Sequence, residues 1–129
     1  MNRPLAPASI AATAARYAHG VLSDAGSTLL HTAGVVPIAP DGTVPEGIAE
    51  QAAMVWRNID AIVREAGMER TDIVSVTTYV VPGQDMAAVM AARADYLGEH
   101  LAASTLVIVA ALVRPEWKVE TAVVAARAR

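Results

Sequence analysis

At 129 residues the chain has the length of one domain, residues 1–129, and its lack of cysteine excludes disulfide frameworks and thiolate chemistry. Its net charge of −3 and its dispersed arginines argue against a nucleic-acid partner, because no basic stripe is present to contact phosphates. No apolar run approaches the roughly 20 residues that span a bilayer, so we expect a soluble, cytoplasmic protein without a membrane partner.

The first predicted elements are two strands. Residues 17–23 and 27–38 are rich in apolar and β-branched residues, which favour strands. The turn-forming sequence Asp24-Ala25-Gly26 lies between them, so the two strands are expected to form a hairpin. Residues 40–47 follow as a loop.

A helix is the next predicted element, and it ends at Gly67. It is indicated by apolar residues at helical spacing, namely Ile48, Ala52, Val55, Ile59, Ile62 and Ala66. Alternation over residues 72–81 then predicts a strand that ends at Pro82-Gly83.

A second helix is predicted from Asp85, a plausible N-cap, to about His100. Its inner side would carry Met86, Val89, Met90, Tyr96 and Leu97. The last two strands are predicted over residues 101–112 and 118–126, which are apolar at nearly every position.

This order of elements predicts an α+β fold, with two helices on one face of a mostly antiparallel sheet. Because the last two strands have apolar residues on both faces, the uncovered face must also be buried. The composition, 54% hydrophobic and 18% charged, agrees with this. The simplest partner is a further copy of the chain, so we expect an oligomer.

The chain resembles one known family over nearly its whole length. The segments that carry the resemblance are YAHGV, TAGVVP, WRNIDAIVREAG, DIVSVTTYV, YLGEH, VIVAAL and KVETAVVA, in that order. They are similar to the Rid family, also called YjgF/YER057c/UK114. The resemblance implies a chorismate-mutase-like fold and a homotrimer whose sheets form a central barrel, with a small-molecule site in each cleft between subunits. It also implies hydrolysis of reactive enamines and imines derived from amino acids, which yields ketoacids and ammonia.

The resemblance also assigns site residues. Tyr17, Gly34 and Glu120 match a tyrosine, a backbone-donating glycine and a carboxylate that line the family's cleft. The arginine that clamps the substrate carboxylate in deaminating members falls at Ser104, so this chain is identified as a divergent member that lacks the clamp. Thr105 adjoins Ser104, and both hydroxyls are expected at the pocket mouth unless they are plain caps or solvent contacts.

Three other pocket positions have lost polar groups relative to the family. By the resemblance, Leu106 occupies the position of a cysteine, Val35 that of a glutamine and Met90 that of an asparagine. Arg93 lies three residues after Met90, on the same helical face, and is the candidate for a substitute clamp. A guanidinium offers a bidentate fork to a carboxylate, whereas serine gives one neutral hydrogen bond. The alternative is an arginine that extends to water from the edge of the helix.

Glu120 and Tyr17 are the candidate catalytic residues. A carboxylate in a strand with two apolar faces is partly desolvated and suited to proton transfer near neutrality. It could activate water for attack on a C=N carbon, while the Tyr17 phenol hydrogen-bonds to substrate or water. The alternatives are a structural acid at Glu120, edge packing at Tyr17 and a β-bulge at Gly34.

No metal or cofactor is expected. His19, His31 and His100 are scattered without metal-ligand spacing, and no Gly-rich phosphate loop or dinucleotide fingerprint occurs. Two functions stay open. The first is a Rid-type enzyme that hydrolyses an imine, an enamine or a related reactive intermediate, and the second is a small-molecule-binding or regulatory trimer without deaminase activity. Ribonuclease activity, suggested for some relatives, is disfavoured by the acidic charge balance.

Overall fold

The computed structural model describes all residues, 1–129. Two α-helices are present, α1 over Ile48–Glu65 and α2 over Met86–Leu97, with a single 3-10 turn at Arg70–Asp72. The strands in chain order are β1 Arg3–Leu5, β2 Gly20–Leu22, β3 Thr28–His31, β4 Ile73–Val80, β5 Ala103–Ile108 and β6 Val119–Arg127. Neither helix combines the length and the apolar character needed to cross a membrane.

The main sheet has four strands in the order β3-β6-β4-β5. The pairs β3/β6 and β4/β6 are antiparallel, whereas β4/β5 is parallel. Both helices contribute to the core on one face of this sheet, where Val76 of β4 lies opposite Val123 of β6 and Ile59 of α1 is fully buried. The predicted α+β class and the mostly antiparallel sheet are therefore confirmed.

The predicted hairpin between the first two strands is wrong. The turn does form, since Ser27 N donates to Asp24 O and Gly26 has a φ of 80°, a value that glycine adopts readily. However, the turn joins two different sheets. β2 pairs with β1 in a separate two-stranded sheet, and β3 pairs with β6. The regular strand β3 is also shorter than predicted, although Val35 still bridges Thr121 of β6 further along.

The first predicted helix is present, but its buried face is rotated slightly from the expected one. Ile62, predicted to face inward, is 37% exposed, whereas its neighbour Val63 is fully buried. Trp56 is also buried and Ala66 is exposed. Because both Ile62 and Val63 are apolar, helical spacing alone cannot decide which of them faces the core.

The second helix begins as predicted and ends slightly earlier. The Asp85 side chain accepts a hydrogen bond of 3.0 Å from Ala87 N, as an N-cap does. The helix stops at Leu97, followed by Gly98 with a φ of 59°. This end places Ala102 and β5 alongside the sheet edge.

Polar and aromatic contacts join the two helices. The Trp56 and Tyr96 rings stack with their centroids 5.0 Å apart. Tyr96 Oη of α2 donates to Asp60 Oδ1 of α1 at 2.9 Å. Within α1, Arg64 Nε donates to Asp60 Oδ2 at 2.7 Å and so orients the same carboxylate. The ring stack and the Tyr96 bond fix the position of α2 and hence of the side chains that it directs towards β5.

The sheet face that points away from the helices is not covered by another layer. Tyr79, Glu120, Ala122 and Val124 lie there and are only half-buried. β5 forms one edge of the sheet, and its Val107, which lies opposite Tyr79 on this face, is 39% exposed. This agrees with an uncovered apolar face, and the identity of what buries it stays a prediction.

Candidate functional site

The cation at the site comes from α2 and meets β5. Arg93 is 9% exposed, and its Nη1 donates a hydrogen bond of 3.0 Å to Ser104 Oγ. The bond forms because Ser104 lies opposite Val76 in the parallel β4/β5 register and so faces the helices. The arginine predicted as a substitute clamp therefore contacts Ser104, the position at which the resemblance predicts that the clamp is missing.

Arg93 has no anionic partner within the chain. None of the ion pairs involves it, and Ser104 is the only side chain that receives its hydrogen bond. Burial lowers the pKa of the Arg93 guanidinium, and the nearby Tyr17 phenol offsets this only in part. A buried, unpaired guanidinium is costly, and an anionic ligand would compensate for that cost.

Arg93 lines an open cavity of about 250 Å³. The cavity is bounded by Ala15, Tyr17, Met86, Met90, Arg93, Ser104 and Leu106. It therefore brings together five of the residues singled out from the sequence, namely Tyr17, Met90, Arg93, Ser104 and Leu106. Its other walls are apolar, so polar contacts come only from the phenol, the guanidinium and the serine hydroxyl.

Backbone pairing at the edge of the sheet positions Tyr17. Ala18 N donates to Ala102 O at 2.9 Å, and Ala18 forms a parallel bridge with Ala103 at the start of β5. Ala18 itself is buried. The segment that carries Tyr17 thus lies next to β5, which places the phenol in the same cavity as Ser104.

Glu120 and Gly34 form a second group. The two are in close contact, since a Cβ added at Gly34 would overlap the Glu120 carboxylate. Val35 brings them together because its N and O both bond to Thr121, at 2.7 and 3.1 Å. The Glu120 carboxylate thus lies against the Gly34 backbone. None of the ion pairs involves Glu120.

The two groups lie on opposite faces of the sheet. Ser104 pairs with Val76 and shares the helix-covered face with it. Glu120 pairs with Tyr79, and Tyr79 pairs with Val107 on its other side. These three residues lie on the uncovered face. Within one chain, Glu120 therefore cannot enter the cavity that holds Arg93.

The two remaining predicted residues lie outside this cavity. Val35 is 8% exposed and packs in the hydrophobic core. Thr105 is exposed and alternates with Ser104 along β5, so it lies on the same sheet face as Glu120.

Sequence reasoning did not name Met86 and Ala15 as site residues. Met86 lies four residues before Met90 and seven before Arg93, so helical spacing places all three on one face of α2. That signal was present in the sequence. Ala15 precedes the first strand and has no pattern that could have revealed it.

A larger groove lies between the helices but is a weaker candidate. Its volume is about 810 Å³, and its walls include five alanines, Ala49, Ala53, Ala88, Ala91 and Ala92. Asp60 and Arg64, which also line it, already pair with each other. It contains none of the residues predicted for the site, and the smaller cavity contains the buried, unpaired cation.

Comparison with known proteins gives consistent matches over the whole chain. The family model described as Endoribonuclease L-PSP matches residues 7–127. The 2-iminobutanoate/2-iminopropanoate deaminase of Escherichia coli strain K12 is 34% identical over 131 residues, which covers 98% of this chain and 99% of the relative.

Solved structures share the fold. YyfB from Yersinia pestis, described as a protein of unknown function in the conserved Rid family, superposes with a TM-score of 0.84 at 27% identity, and 98% of each chain is covered. Escherichia coli TdcF with bound serine gives a TM-score of 0.74 at 28% identity, with 90% of this chain and 91% of that chain covered.

Proposed function

The chain belongs to the Rid family, also called YjgF/YER057c/UK114, and from this membership we propose that it hydrolyses imines or enamines derived from amino acids. The observation that carries the proposal is the buried Arg93 guanidinium, which faces a cavity without an anionic partner. A relative of the same family has been solved with serine bound, which supports an amino-acid-like ligand here.

Substrate binding would begin with the carboxylate. Arg93 would pair with it in a partly desolvated setting, where a charge-assisted hydrogen bond is about twice as strong as a neutral one. Ser104 accepts a hydrogen bond of 3.0 Å from Arg93 Nη1, and the other guanidinium nitrogens of Arg93 would bind the ligand. Tyr17 would bond to the substrate or to the attacking water. The chain thus supplies from its helix the cation that other members supply from a strand.

Glu120 would move the protons. Its carboxylate would accept a proton from water as the water oxygen bonds to the C=N carbon and the π electrons of that bond move to nitrogen. The nitrogen would take up this proton from Glu120 and a second one from the new hydroxyl group. The C–N bond then breaks, and ammonia leaves as the carbonyl of the ketoacid forms. The hydrolysis requires no oxidant or reductant, because the oxidation state of the substrate does not change.

The complete site would form between two copies of the chain. Glu120 and Arg93 lie on opposite sheet faces, so one subunit would supply Arg93, Ser104 and Tyr17, and its neighbour would supply Glu120 and Gly34. The uncovered sheet face and the exposed Val107 on that face of the edge strand support such packing. We propose a homotrimer with a barrel core, in accordance with the family resemblance.

In the test, an amino acid oxidase releases imines, and a trapping reagent forms an adduct with the imine that has not been hydrolysed. The decrease of this adduct measures hydrolysis. The wild-type protein should accelerate imine loss. In Glu120→Gln the rate should be at least about a hundredfold lower. The exposed Glu116→Gln should keep the wild-type rate. A wild type that is inert towards every imine would contradict the proposal and favour the second reading, a binding or regulatory trimer.

Mixing two inactive variants tests the shared site. Glu120→Gln and Arg93→Gln should each be inactive alone, because each lacks one half. When they are refolded together in equal amounts, about a quarter of the interfaces in randomly mixed oligomers regain both groups, so activity should return to about that fraction. No recovery on mixing would contradict the inter-subunit site.

A further inference from the structure

We propose that the Arg93 cavity selects 2-imino acids with aliphatic or thioether side chains of about leucine or methionine size, over those with methyl or ethyl side chains. The inference rests on the proposed function, because it names the substrate class of the same site. It also distinguishes this chain from its Escherichia coli relative, whose name specifies 2-iminobutanoate and 2-iminopropanoate.

The first argument is the direction in which the cavity extends from the cation. On α2, Met90 and Met86 lie about one and two turns before Arg93, which corresponds to roughly 10 Å along the helix. On β5, Leu106 lies two residues beyond Ser104 and faces the same way. A carboxylate held at Arg93 would thus direct its side chain between the two methionines and Leu106.

The second argument is size. The cavity is open to solvent and has a volume of about 250 Å³, which is more than a carboxylate and an imine alone need. A methyl group would leave the two methionines and Leu106 in contact with water. A side chain of about four non-hydrogen atoms would be long enough to contact them.

The third argument is the character of the walls. Beyond the polar end at Tyr17, Arg93 and Ser104, every lining residue is apolar, so a charged side chain would lose its hydration without gaining a partner. Met86 and Met90 are unbranched and can adapt to an aliphatic or thioether chain. A second, much smaller space of about 10 Å³ shares Met90 and Leu106 with the cavity, so the cavity does not extend far beyond these two residues.

The experiment measures binding and does not depend on catalysis. The 2-oxo acids, which are the stable products of the proposed hydrolysis, are titrated calorimetrically into the full chain, with methyl, isobutyl, methylthioethyl and carboxyethyl side chains. We expect the isobutyl and methylthioethyl compounds to bind at least about tenfold more tightly than the methyl compound. The carboxyethyl compound should bind more weakly than either.

Two variants and a matched control locate the effect. Met90→Ala and Leu106→Ala should each reduce the isobutyl preference about threefold or more, whereas Met54→Ala on α1, which lines neither cavity wall, should keep it. If a variant fails to fold, the wild-type series still decides. Equal affinity for methyl and isobutyl compounds, or tightest binding of the carboxyethyl compound, would overturn the inference.

The two proposals can fail separately. A chain that binds the isobutyl compound preferentially but hydrolyses no imine would contradict the proposed function and keep the assignment of the cavity. A chain that hydrolyses imines at the same rate whatever the size of the side chain would keep the proposed function and contradict the assignment of the cavity.

Discussion

Arg93 Nη1 lies 3.0 Å from Ser104 Oγ, so a cation on α2 is hydrogen-bonded to a serine on β5. The two positions are eleven residues apart in the chain and adjacent in space. We propose that Ser104 takes the place of the family's arginine, as the resemblance implies. The positive charge would then be kept at this edge of the sheet, with a helix as the element that carries it.

Exchanging the two residues should preserve ligand binding. In Arg93→Ser, affinity for an isobutyl 2-oxo acid should fall at least about tenfold, because a hydrogen bond to a charged group is lost. In the double variant Arg93→Ser with Ser104→Arg, the guanidinium approaches from the strand and most of the affinity should return. Ser104→Arg alone should weaken the fold, since it brings two guanidinium groups together. Calorimetry and urea unfolding provide the measurements, and a double variant as weak as Arg93→Ser would contradict the exchange.

Removing the charge at position 93 should stabilise the chain while it weakens binding. Arg93→Met keeps much of the side-chain volume and removes a buried cation without an anionic partner, so the free energy of unfolding should rise by about 1 kcal/mol. Affinity for the 2-oxo acid should fall at the same time. The exposed Arg57→Met should change stability by less than about 0.5 kcal/mol. A clear loss of stability in Arg93→Met would show that the arginine serves the fold.

Adding one methyl group at Gly34 should impair catalysis without unfolding the chain. The new Cβ would overlap the Glu120 carboxylate, which must then turn away from its place on the sheet face. We expect imine hydrolysis to fall at least about tenfold, with KM changed less than kcat. Gly20→Ala is the matched control, because a Cβ there meets nothing within 4 Å and φ is not positive. Equal rates in the two variants would show that the position of Glu120 does not affect hydrolysis.

Asp60 should make the stability of the helix pair depend on pH. Burial raises the pKa of Asp60, but hydrogen bonds from Arg64 and Tyr96 outweigh it and hold the pKa below its ordinary value. A lowered carboxylate pKa stabilises the fold above the unfolded value, near about 3.9, and this contribution is lost as pH falls through the folded value.

Asp60→Asn should therefore cost about 1 kcal/mol at neutral pH, and the difference from wild type should shrink below about pH 4. Urea unfolding across this range measures it, and the exposed Asp95→Asn should show no comparable trend. A difference that stays constant down to pH 3 would assign the effect to packing, because the charge would then make no contribution.

The elements with strong local patterns were predictable from the sequence, and the long-range pairings were not. Both helices and the strands that follow them appear in the predicted order, because spacing and capping are local properties. β1 has only three residues and no alternation, so nothing in the sequence marked it as the partner of β2. The turn at Gly26 looked like a hairpin turn, since turn chemistry does not specify which strands pair.

The candidate site divides in the same way. Helical spacing placed Arg93 on the face of Met90, and the cavity contains both. The separation of Glu120 from Arg93 depends on strand register, since a shift of one residue would bring Glu120 to the other face. Register is set by the fold as a whole, so the resemblance could name both residues and imply a cleft between subunits without revealing which face of the sheet carries each residue.

The position of β6 between β3 and β4 also affects how the chain is made. β6 follows every other strand in the sequence, yet it is the only one that joins β3 to the rest of the main sheet. During synthesis on the ribosome, β3, α1, β4, α2 and β5 therefore emerge before the strand that joins them. The four-stranded sheet is complete only when β6, which ends at Arg127, is available to pair. Until then the edges of β3 and β4 that pair with β6 stay unpaired and the core is incomplete, so chaperones can bind the nascent chain there.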